Sequence, residues 1–427
     1  MKKKNSIWND FWIKRENKMD IPFLLIMLVL MAFGLVMLLS SSYAFSYYET
    51  EGKTSFSYFW KEIMFMVAGL FVMYVFSRVN YNKLKHFSSI ILVFSWFLVL
   101  LTIVIGKAKG DEINRWLSLG FFDVQPSEIA KFAIVLFCAV GLDKNHKKMI
   151  SNNPSQVGWA VKLSEITKGK IVFTESTVTL FFYLIIVFFT AGLVFAGSHL
   201  SGAILIALFG VAMLWIGEGK GRWFAVGLVV GAIVLFVVIN YYEQIPFLKD
   251  YMGDRIGAWR VEDLTDTDLR WQTNHSLFAL GSGGFFGSGL GNSKQKYFYV
   301  SESHTDFIFS IIGEELGFVG CCVVLGLFIA LFMRGIYIGM RAKDRFGALL
   351  AFGIMMQVGI QVVLNVGVIT DTLPNTGISL PFFSYGGSST LVTLGEMGFL
   401  LGISRQASLS RVYSFTGGKK SKKAKKA

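Results

Sequence analysis

Asp306 is the residue of this chain best suited to acid–base chemistry. It follows His304 closely and lies downstream of Lys294 and Lys296, where polar sequence gives way to the apolar run FIFSII. Ionisable groups at the mouth of a membrane helix are costly, and they usually mark a functional site. A carboxylate in that position, with its pKa tuned by desolvation and nearby cations, can serve as a general base.

The same position allows a structural interpretation of Asp306. A carboxylate at a helix N-terminus is stabilised by capping and by the helix dipole, without any catalytic role. His304 has no metal-ligating partners at suitable spacing in the sequence, so a supporting role is expected for it and the metal-ligand set stays unknown. The glycine-rich run that begins at Gly281 follows no predicted strand, which argues against a dinucleotide-binding loop.

A second cluster is the heptapeptide QPSEIAK, residues 125–131. Pro126 suits the first position of a helix, and Glu128 then falls in the first turn, where the dipole favours a negative charge. Lys131 lies three residues later on the same face, so the two side chains are predicted to pair. An ionised side chain within a membrane costs about 2.5–3.5 kcal/mol on insertion scales, which makes pairing necessary. The pair is interpreted either as part of an active site or as a purely structural ion pair.

A third cluster spans residues 373–389, LPNTGISLPFFSYGGSS, and includes Ser384 and Ser388. Prolines and glycines leave this stretch irregular, and irregular backbone at membrane depth is tolerated only where it lines protein or a wet cavity. It is therefore predicted to shape the same outer cavity as Asp306, although a plain interhelical turn is the simpler alternative. Three further acidic residues fall inside apolar runs and are predicted to face the cavity or to cap neighbouring helices: Glu314, Glu315 and Glu396.

The composition indicates a polytopic membrane protein. Of the 427 residues 53% are hydrophobic and only 16% are charged, whereas soluble domains carry about a quarter charged residues. The mean hydropathy is +0.55, and apolar runs of about 20 residues recur along the chain. The cysteines all lie within apolar runs, so we interpret them as packing residues and not as a disulfide framework.

The predicted fold is an all-α polytopic membrane protein with about ten transmembrane helices. Lys and Arg concentrate in alternate connecting segments, which places the N- and C-termini in the cytoplasm. One long extracellular loop, 242–305, then joins helices 7 and 8. The chain divides into a cytoplasmic segment 1–20, a membrane domain 21–403 and a basic cytoplasmic tail 404–427. The apolar segments are 21–41, 58–77, 87–106, 126–142, 178–196, 200–217, 222–241, 306–333, 347–369 and 384–403.

The net charge of +13 is distributed as a membrane protein requires and indicates no nucleic-acid partner. The tail GGKKSKKAKKA is suited to anionic membrane lipids or to a solvated, disordered state. The first half of the long outer loop mixes both charge signs with tryptophans, so it is predicted to be partly ordered at the outer interface.

Three sequence motifs, in this order, resemble the SEDS (shape, elongation, division and sporulation) family, and its FtsW branch more than its RodA branch. They are RWLSLGFFDVQPSEIAKF, HSLFALGSGGFFGSGLGNSKQKYFYVSESHTDFIFSIIGEELGF and LPNTGISLPFFSYGGSS. The resemblance implies an inverting peptidoglycan glycosyltransferase that polymerises lipid II at the outer face of the bacterial cytoplasmic membrane, with undecaprenyl diphosphate as leaving group. Carried onto this sequence, it implies that Asp306 is catalytic and that Glu128 and Lys131 are functional.

The resemblance also implies partners and a location. The partners would be a class B penicillin-binding transpeptidase and other divisome proteins, and the location would be the division septum. The leaving diphosphate needs cationic side chains or a divalent cation such as Mg²⁺ or Mn²⁺. The cationic side chains on the outer side are Lys131, Lys294, Lys296, Arg115 and Arg255. The alternatives are a lipid II flippase, since charged groups in spans also mark transport pathways, and a non-catalytic scaffold for the transpeptidase.

Overall fold

The structure is a computed structural model that describes most of the chain. It covers residues 18–109, 115–118, 120, 123–167, 172–217 and 268–407, with single positions at 227, 240, 241, 244, 257 and 259. Arg255, most of the apolar segment 222–241 and most of the basic tail lie outside the described residues.

The described chain is built almost entirely of helices. Before the long outer loop these are α1 (Ile21–Glu49), α2 (Ser57–Arg78), α3 (Leu84–Lys109), α4 (Pro126–Lys144), α5 (His146–Ile150), α6 (Gly158–Ile166), α7 (Glu175–Ala196) and α8 (Leu200–Ile216). In and after that loop they are α9 (Asp268–Ser282), α10 (Ile308–Met340), α11 (Arg345–Ile369) and α12 (Gly387–Gln406). A 3-10 turn (Tyr81–Lys83) precedes α3, and a small antiparallel hairpin of β1 (Leu117–Ser118) and β2 (Asp123–Val124) precedes α4.

The predicted membrane helices agree with this arrangement. Each predicted apolar segment except the seventh coincides with a described helix, and the seventh falls mostly outside the described residues. Within the described part of the chain, six helices are long and apolar enough to cross a membrane. Helical hydrogen bonding satisfies the whole backbone of such a segment, which is why lipid selects it. The protein is therefore a multi-pass helical membrane protein.

Helix α11 is the most enclosed of the six apolar helices, with 67% of its most apolar window buried inside the protein. It contacts α4, α8, α10 and α12, while α12 also packs along α2 and α10 packs against α1. Its buried face carries the polar side chains Gln357, Gln361 and Asn365. Buried polar groups in a membrane need partners, so this helix is a natural support for a polar site.

The second half of the long loop contains a helix, whereas its first half, predicted to be partly ordered at the outer interface, lies mostly outside the described residues. This helix, α9, packs against α10 and α11. The indole of Trp271 donates to the Tyr299 carbonyl at 3.1 Å, and that of Trp259 donates to the Asp371 carbonyl at 3.1 Å. An ion pair of 2.8 Å between Arg270 and Asp371 fastens the start of α9 to the end of α11. These contacts anchor the described part of the loop to the end of α11.

Candidate active site

A polar cavity of about 270 Å³ lies where the start of α4, the end of the long loop and the stretch 373–389 meet. Asp306 lines it, and so do the acidic and basic residues Glu128, Lys131 and Arg115. The stretch 373–389 contributes Gly377, Ser379, Tyr385 and Ser389 to the same wall, as the sequence predicted. The three sequence clusters therefore meet around one cavity, although they are separated by up to about 260 residues along the chain.

Asn365 of α11 fixes the backbone at Asp306. Its side-chain amide donates to the main-chain oxygen of Asp306 at 2.7 Å and to that of Ile378 at 2.6 Å. Asn365 is itself almost fully buried. One amide group thus joins the segment that carries the carboxylate to the irregular stretch across the cavity.

The two residues before Asp306 are held by that irregular stretch. The hydroxyl of Ser384 donates to the Thr305 carbonyl at 2.6 Å and accepts from the amide of Leu380 at 2.7 Å. The amide of Tyr385 donates to the His304 carbonyl at 2.9 Å. Three consecutive carbonyls, 304 to 306, therefore each accept a hydrogen bond from residues 365–385, which leaves this part of the loop little freedom.

Asp306 does not occupy the capping position of α10. The N-cap is Phe307, and its side chain makes no capping hydrogen bond. Gly377 approaches the carboxylate closely, since a Cβ added there would lie 2.9 Å from Asp306 Oδ2. Gly377 also has φ +65°, a left-handed conformation that favours glycine. Local backbone geometry thus shapes the space around the carboxylate.

The predicted pairing of Glu128 with Lys131 is confirmed. Lys131 Nζ lies 2.7 Å from Glu128 Oε2, and the side chains are 2% and 8% exposed. Lys131 also lies within electrostatic range of Glu396 on α12, whose carboxylate accepts from the amide of Gln357 at 2.9 Å. Lys131 is thus a buried side chain with acidic side chains from two helices near it.

The start of α4 is fastened to its surroundings by the residues that precede the ion pair. The amide of Gln125 donates to the Ser388 hydroxyl at 3.2 Å, which joins α4 to the start of α12. Ser127 and His199 Nδ1 share a hydrogen bond of 2.9 Å, which joins α4 to the residue before α8. Ser388 therefore supports the site by positioning α4.

Arg115 brings a further positive charge to the cavity. It lines the polar cavity just before the β1–β2 hairpin. Its Nε is buried and has no hydrogen-bond partner among the described residues. A buried guanidinium donor with no acceptor is a binding group for an anion, because leaving it unpaired costs free energy.

His304 lies on the other side of the same loop, in an aromatic setting. Its ring centroid is 4.5 Å from that of Tyr58 and 5.0 Å from that of Phe45. Nδ1 has no hydrogen-bond partner among the described residues. Burial lowers the pKa of His304, while the negative charges of Glu302 and Glu49 act to raise it. The neutral imidazole is therefore favoured, as expected of a supporting residue.

A larger groove of about 1120 Å³ adjoins the polar cavity. The two share Trp116, Thr305, Tyr385 and Gly386 in their walls. The groove carries polar and aromatic side chains at its outer end and apolar ones from α2 and α12, among them Met64, Phe65 and Leu391. An amphipathic ligand with a polar head and a long apolar tail fits such a lining.

The structure places the remaining predicted cations elsewhere. Lys296 is 2% exposed and lies 2.9 Å from Glu315, away from the cavity lining. Lys294 is exposed and does not line the cavity either. Arg255 lies outside the described residues. Glu314 and Glu315 do not line the cavity but accept from amides of the glycine-rich loop, so the first of their two predicted alternatives, facing the cavity, does not hold.

Several residues of the site were not predicted from the sequence, Asn365 foremost. A signal for it was present, since Gln357, Gln361 and Asn365 recur every four residues within an apolar run. That spacing puts three amides on one helix face. Polar side chains on one face of a membrane helix point toward partners inside the bundle.

The chain is similar to known proteins over most of its length. Residues 21–409 match the family described as "Cell cycle protein", which is named for FtsW, RodA and SpoVE. A protein of Trichlorobacter lovleyi named probable peptidoglycan glycosyltransferase FtsW is 34% identical over 391 residues, 90% of this chain and 93% of the relative. Stage V sporulation protein E of Bacillus subtilis is 32% identical over 398 residues, 92% of this chain and 98% of the relative.

Two solved structures share the fold. A chain from a structure described as "Structural coordination of polymerization and crosslinking by a peptidoglycan synthase complex" aligns with a TM-score of 0.63 at 22% identity, over 90% of this chain and 97% of that chain. The rod shape determining protein RodA of Thermus thermophilus aligns with a TM-score of 0.58 at 23% identity, over 90% of this chain and 96% of that chain. At such identities the likeness concerns the fold.

Proposed function

Because this chain belongs to the FtsW, RodA and SpoVE family of cell-cycle proteins, we propose that it is a peptidoglycan glycosyltransferase. It polymerises lipid II into glycan strands at the outer face of the bacterial cytoplasmic membrane. The single observation that carries the proposal is the polar cavity that joins Asp306 to Lys131 and Arg115. Similar proteins named probable peptidoglycan glycosyltransferase support it.

Asp306 is the general base of this reaction. Its carboxylate takes the proton of the acceptor 4-hydroxyl while that oxygen attacks the anomeric carbon of the donor sugar. The bond from that carbon to the diphosphate oxygen breaks, and its electron pair leaves with undecaprenyl diphosphate. Attack from the face opposite the leaving group converts an α-linked donor into a β-linked product. One carboxylate suffices because the diphosphate needs no protonation to leave.

Lys131 and Arg115 stabilise the leaving diphosphate. Both side chains line the cavity, and positive charge aimed at the developing oxyanions stabilises the transition state. Glu128 orients Lys131 through their 2.7 Å contact. The unpartnered Nε of Arg115 is available for a bidentate contact with phosphate oxygens.

The adjoining groove accommodates the lipid portion of a substrate. Side chains of α2 and α12 form its apolar wall. Its polar end meets the cavity at Tyr385 and Gly386, which line both. A lipid-linked sugar bound there would have its head group at the carboxylate and its tail in the bilayer. This arrangement supports a lipid substrate in preference to a soluble one.

We further propose that a divalent cation such as Mg²⁺ or Mn²⁺ binds together with the diphosphate. Among the residues that the structure describes, no three His, Cys, Asp or Glu side chains are grouped to hold a metal. Mg²⁺ is often held by one or two carboxylates together with substrate phosphates, and Glu302 lines the cavity. Glu302 would hold the ion, which would neutralise charge on the diphosphate. Chelation with EDTA should then slow polymerisation, and an unchanged rate would remove the cation from the proposal.

The proposed partners are a class B penicillin-binding transpeptidase and other divisome proteins, and the proposed location is the division septum. The FtsW names of the similar proteins support a role in division. The similar chain from a peptidoglycan synthase complex supports a transpeptidase partner. Exposed tyrosines and tryptophans at the outer helix ends, such as Tyr48 and Trp60, suit a bilayer interface with membrane lipids.

The test is polymerisation of lipid II by the purified protein, with and without its transpeptidase. Glycan strands should appear with the wild-type chain. Movement of lipid II across reconstituted vesicles without polymer would instead favour a flippase. Stimulation of a transpeptidase without either activity would favour a scaffold.

A further inference from the structure

Helix α10 is broken at Gly317, within the membrane domain. The residue has φ 69° and ψ −166°, which no helix contains. A break in the ladder leaves carbonyls on one side and amides on the other without helical partners. Since unsatisfied backbone groups are costly in a membrane, something must replace those hydrogen bonds.

The glycine-rich loop replaces them. The amides of Ser288 and Gly289 donate to the carbonyls of Glu314 and Glu315, each at 2.9 Å. On the other side of the break, the amides of residues 318 and 319 donate to the carbonyls of residues 284 and 285 at 2.9 and 3.2 Å. The loop thus makes hydrogen bonds to the helix on both sides of the break. We call residues 283–296 the clasp.

Glycines make this contact possible. A Cβ at Gly283 would collide with the carbonyl of Gly313, and one at Gly287 would collide with that of Glu315. A Cβ at Gly317 would in turn collide with the amide of Gly287. The glycine-rich run is therefore explained by backbone-to-backbone packing.

Two acidic side chains close the clasp. Glu315 is fully buried and accepts from Lys296 Nζ at 2.9 Å, from the Ser40 hydroxyl at 2.6 Å and from the Ser293 amide at 3.3 Å. Glu314 accepts from the Lys294 amide at 2.8 Å. Lys296 also donates to the Gly291 carbonyl at 2.7 Å. A fully desolvated ion pair of this kind is sensitive to loss of either partner.

The clasp contacts the far end of the helix segment that follows Asp306. That segment, 308–316, is about 13 Å long at 1.5 Å per residue. The segment begins two residues after Asp306, and its other end contacts the clasp. Residues 297–305 connect the end of the clasp to Asp306. A displacement at Glu315 is therefore carried along a rigid half-helix to the carboxylate.

We propose that the clasp is a positioning device for Asp306, with Lys296 and Glu315 as its positioning pair. The inference rests on the proposed function, in which Asp306 is the base. It assigns to Lys296 a role different from diphosphate binding. A displacement of about 1 Å in a reacting group can cost about 10²-fold in rate, so the clasp should act on kcat more than on KM.

The test uses the full-length protein and the double variant Lys296→Met/Glu315→Gln. This variant removes both charges together, so no buried charge is left unpaired. It should polymerise lipid II with kcat lowered about 10-fold or more, by the same positioning argument, and with KM and thermal stability near those of the parent. Lys53→Met removes an exposed outer lysine and is the control, with parental kcat expected.

A glycine pair gives an independent comparison. Gly287→Ala forces the clasp away from α10, whereas an alanine at Gly281 meets nothing within 4 Å. Gly287→Ala should reproduce the kcat defect, and Gly281→Ala should not. Parental kcat in both the double variant and Gly287→Ala would overturn the proposal.

Hydrogen exchange separates failure of this inference from failure of the proposed function, because it needs no substrate. Exchange in residues 301–312 should accelerate in the double variant and stay parental in Lys53→Met. Unchanged exchange overturns the clasp whether or not the chain polymerises lipid II. Faster exchange with parental kcat shows that the clasp holds the segment without positioning the base, which also overturns the proposal.

Discussion

The side-chain amide of Asn365 donates to the main-chain oxygen of Asp306 at 2.7 Å. The same nitrogen donates to Ile378 at 2.6 Å, while the side-chain oxygen of Asn365 has no partner among the described residues. Asn365 therefore uses only its amide nitrogen, which links α11, the most enclosed of the apolar helices, to the main chain of Asp306, the proposed base. The position of Asp306 is thus set from the protein interior, and the loop that carries it does not set that position alone.

This relationship predicts that Asn365→Asp impairs polymerisation. An ionised aspartate cannot donate, so two buried carbonyls lose their hydrogen bond, at about 1–3 kcal/mol for each unsatisfied group. We expect a loss of kcat of about 10²-fold from the displaced base. The measurement is lipid II polymerisation by purified protein. Asn153→Asp, at an exposed site, is the matched control, and equal activities would show that Asn365 does not position the base.

Asp306→Asn tests the base itself. The amide keeps the shape of the side chain but does not accept the proton, so the rate should fall by about 10²–10⁴-fold. Folding should survive, because Asp306 precedes the N-cap of α10 and does not cap it. Thermal stability and co-purification of the transpeptidase are the controls. A variant that polymerises within a few-fold of the parent would place the base elsewhere.

Gly377→Ala should act on the same carboxylate through sterics. The new Cβ would lie 2.9 Å from Asp306 Oδ2, and φ +65° disfavours alanine. We expect kcat to fall with little change in the binding of lipid II. Gly192→Ala adds a methyl group where nothing lies within 4 Å and should leave the rate unchanged. The prediction fails if the two variants behave alike.

Arg115→Met should weaken the interaction with the diphosphate. The buried Nε has no partner to lose among the described residues, so the melting temperature should stay near the parental value. The value of kcat/KM for lipid II should drop by about 10-fold or more, as for a lost charge-assisted contact of about 1.5–3 kcal/mol. Arg115→Lys should recover part of it, because lysine restores the charge without the planar fork. No change in kcat/KM for Arg115→Met would exclude Arg115 from the site.

His304 predicts a pH dependence of stability. Burial lowers its pKa in the folded protein, so below the ordinary value of about 6.5 the unfolded chain binds a proton more readily. The free energy of unfolding should therefore fall as the pH drops from about 6.5 toward the folded-state pKa, and this residue should contribute no slope above that range. His304→Phe keeps the aromatic packing with Tyr58 and Phe45 and should flatten the melting temperature between pH 5 and 6.5.

The control for that experiment is His86→Phe, at an exposed position. It should show the parental dependence of melting temperature on pH. If His304→Phe keeps the parental slope as well, the acid sensitivity arises from other groups.

The sequence alone determined the features that depend on short-range patterns. Membrane helices follow from runs of apolar residues, because lipid accepts a backbone only when it is hydrogen-bonded within its own segment. The pairing of Glu128 with Lys131 follows from a spacing of three on one helix. The gathering of residues 373–389 near Asp306 was also predictable, since irregular backbone at membrane depth needs a cavity to line.

Only the tertiary structure decided how the charges are distributed among partners. The sequence offers both Lys296 and Lys131 as cations for the diphosphate, yet Lys296 pairs with Glu315 and donates to Ser40, while Lys131 lines the cavity. Asn365 and Asp306 are 59 positions apart, and no periodicity relates them. The spacing of Gln357, Gln361 and Asn365 indicates which face of α11 turns inward. It does not indicate which groups lie opposite that face, so packing decides the partners of each buried polar side chain. Packing thus placed Asn365 of α11 against the main chain of Asp306, and the clasp at the far end of the segment 308–316.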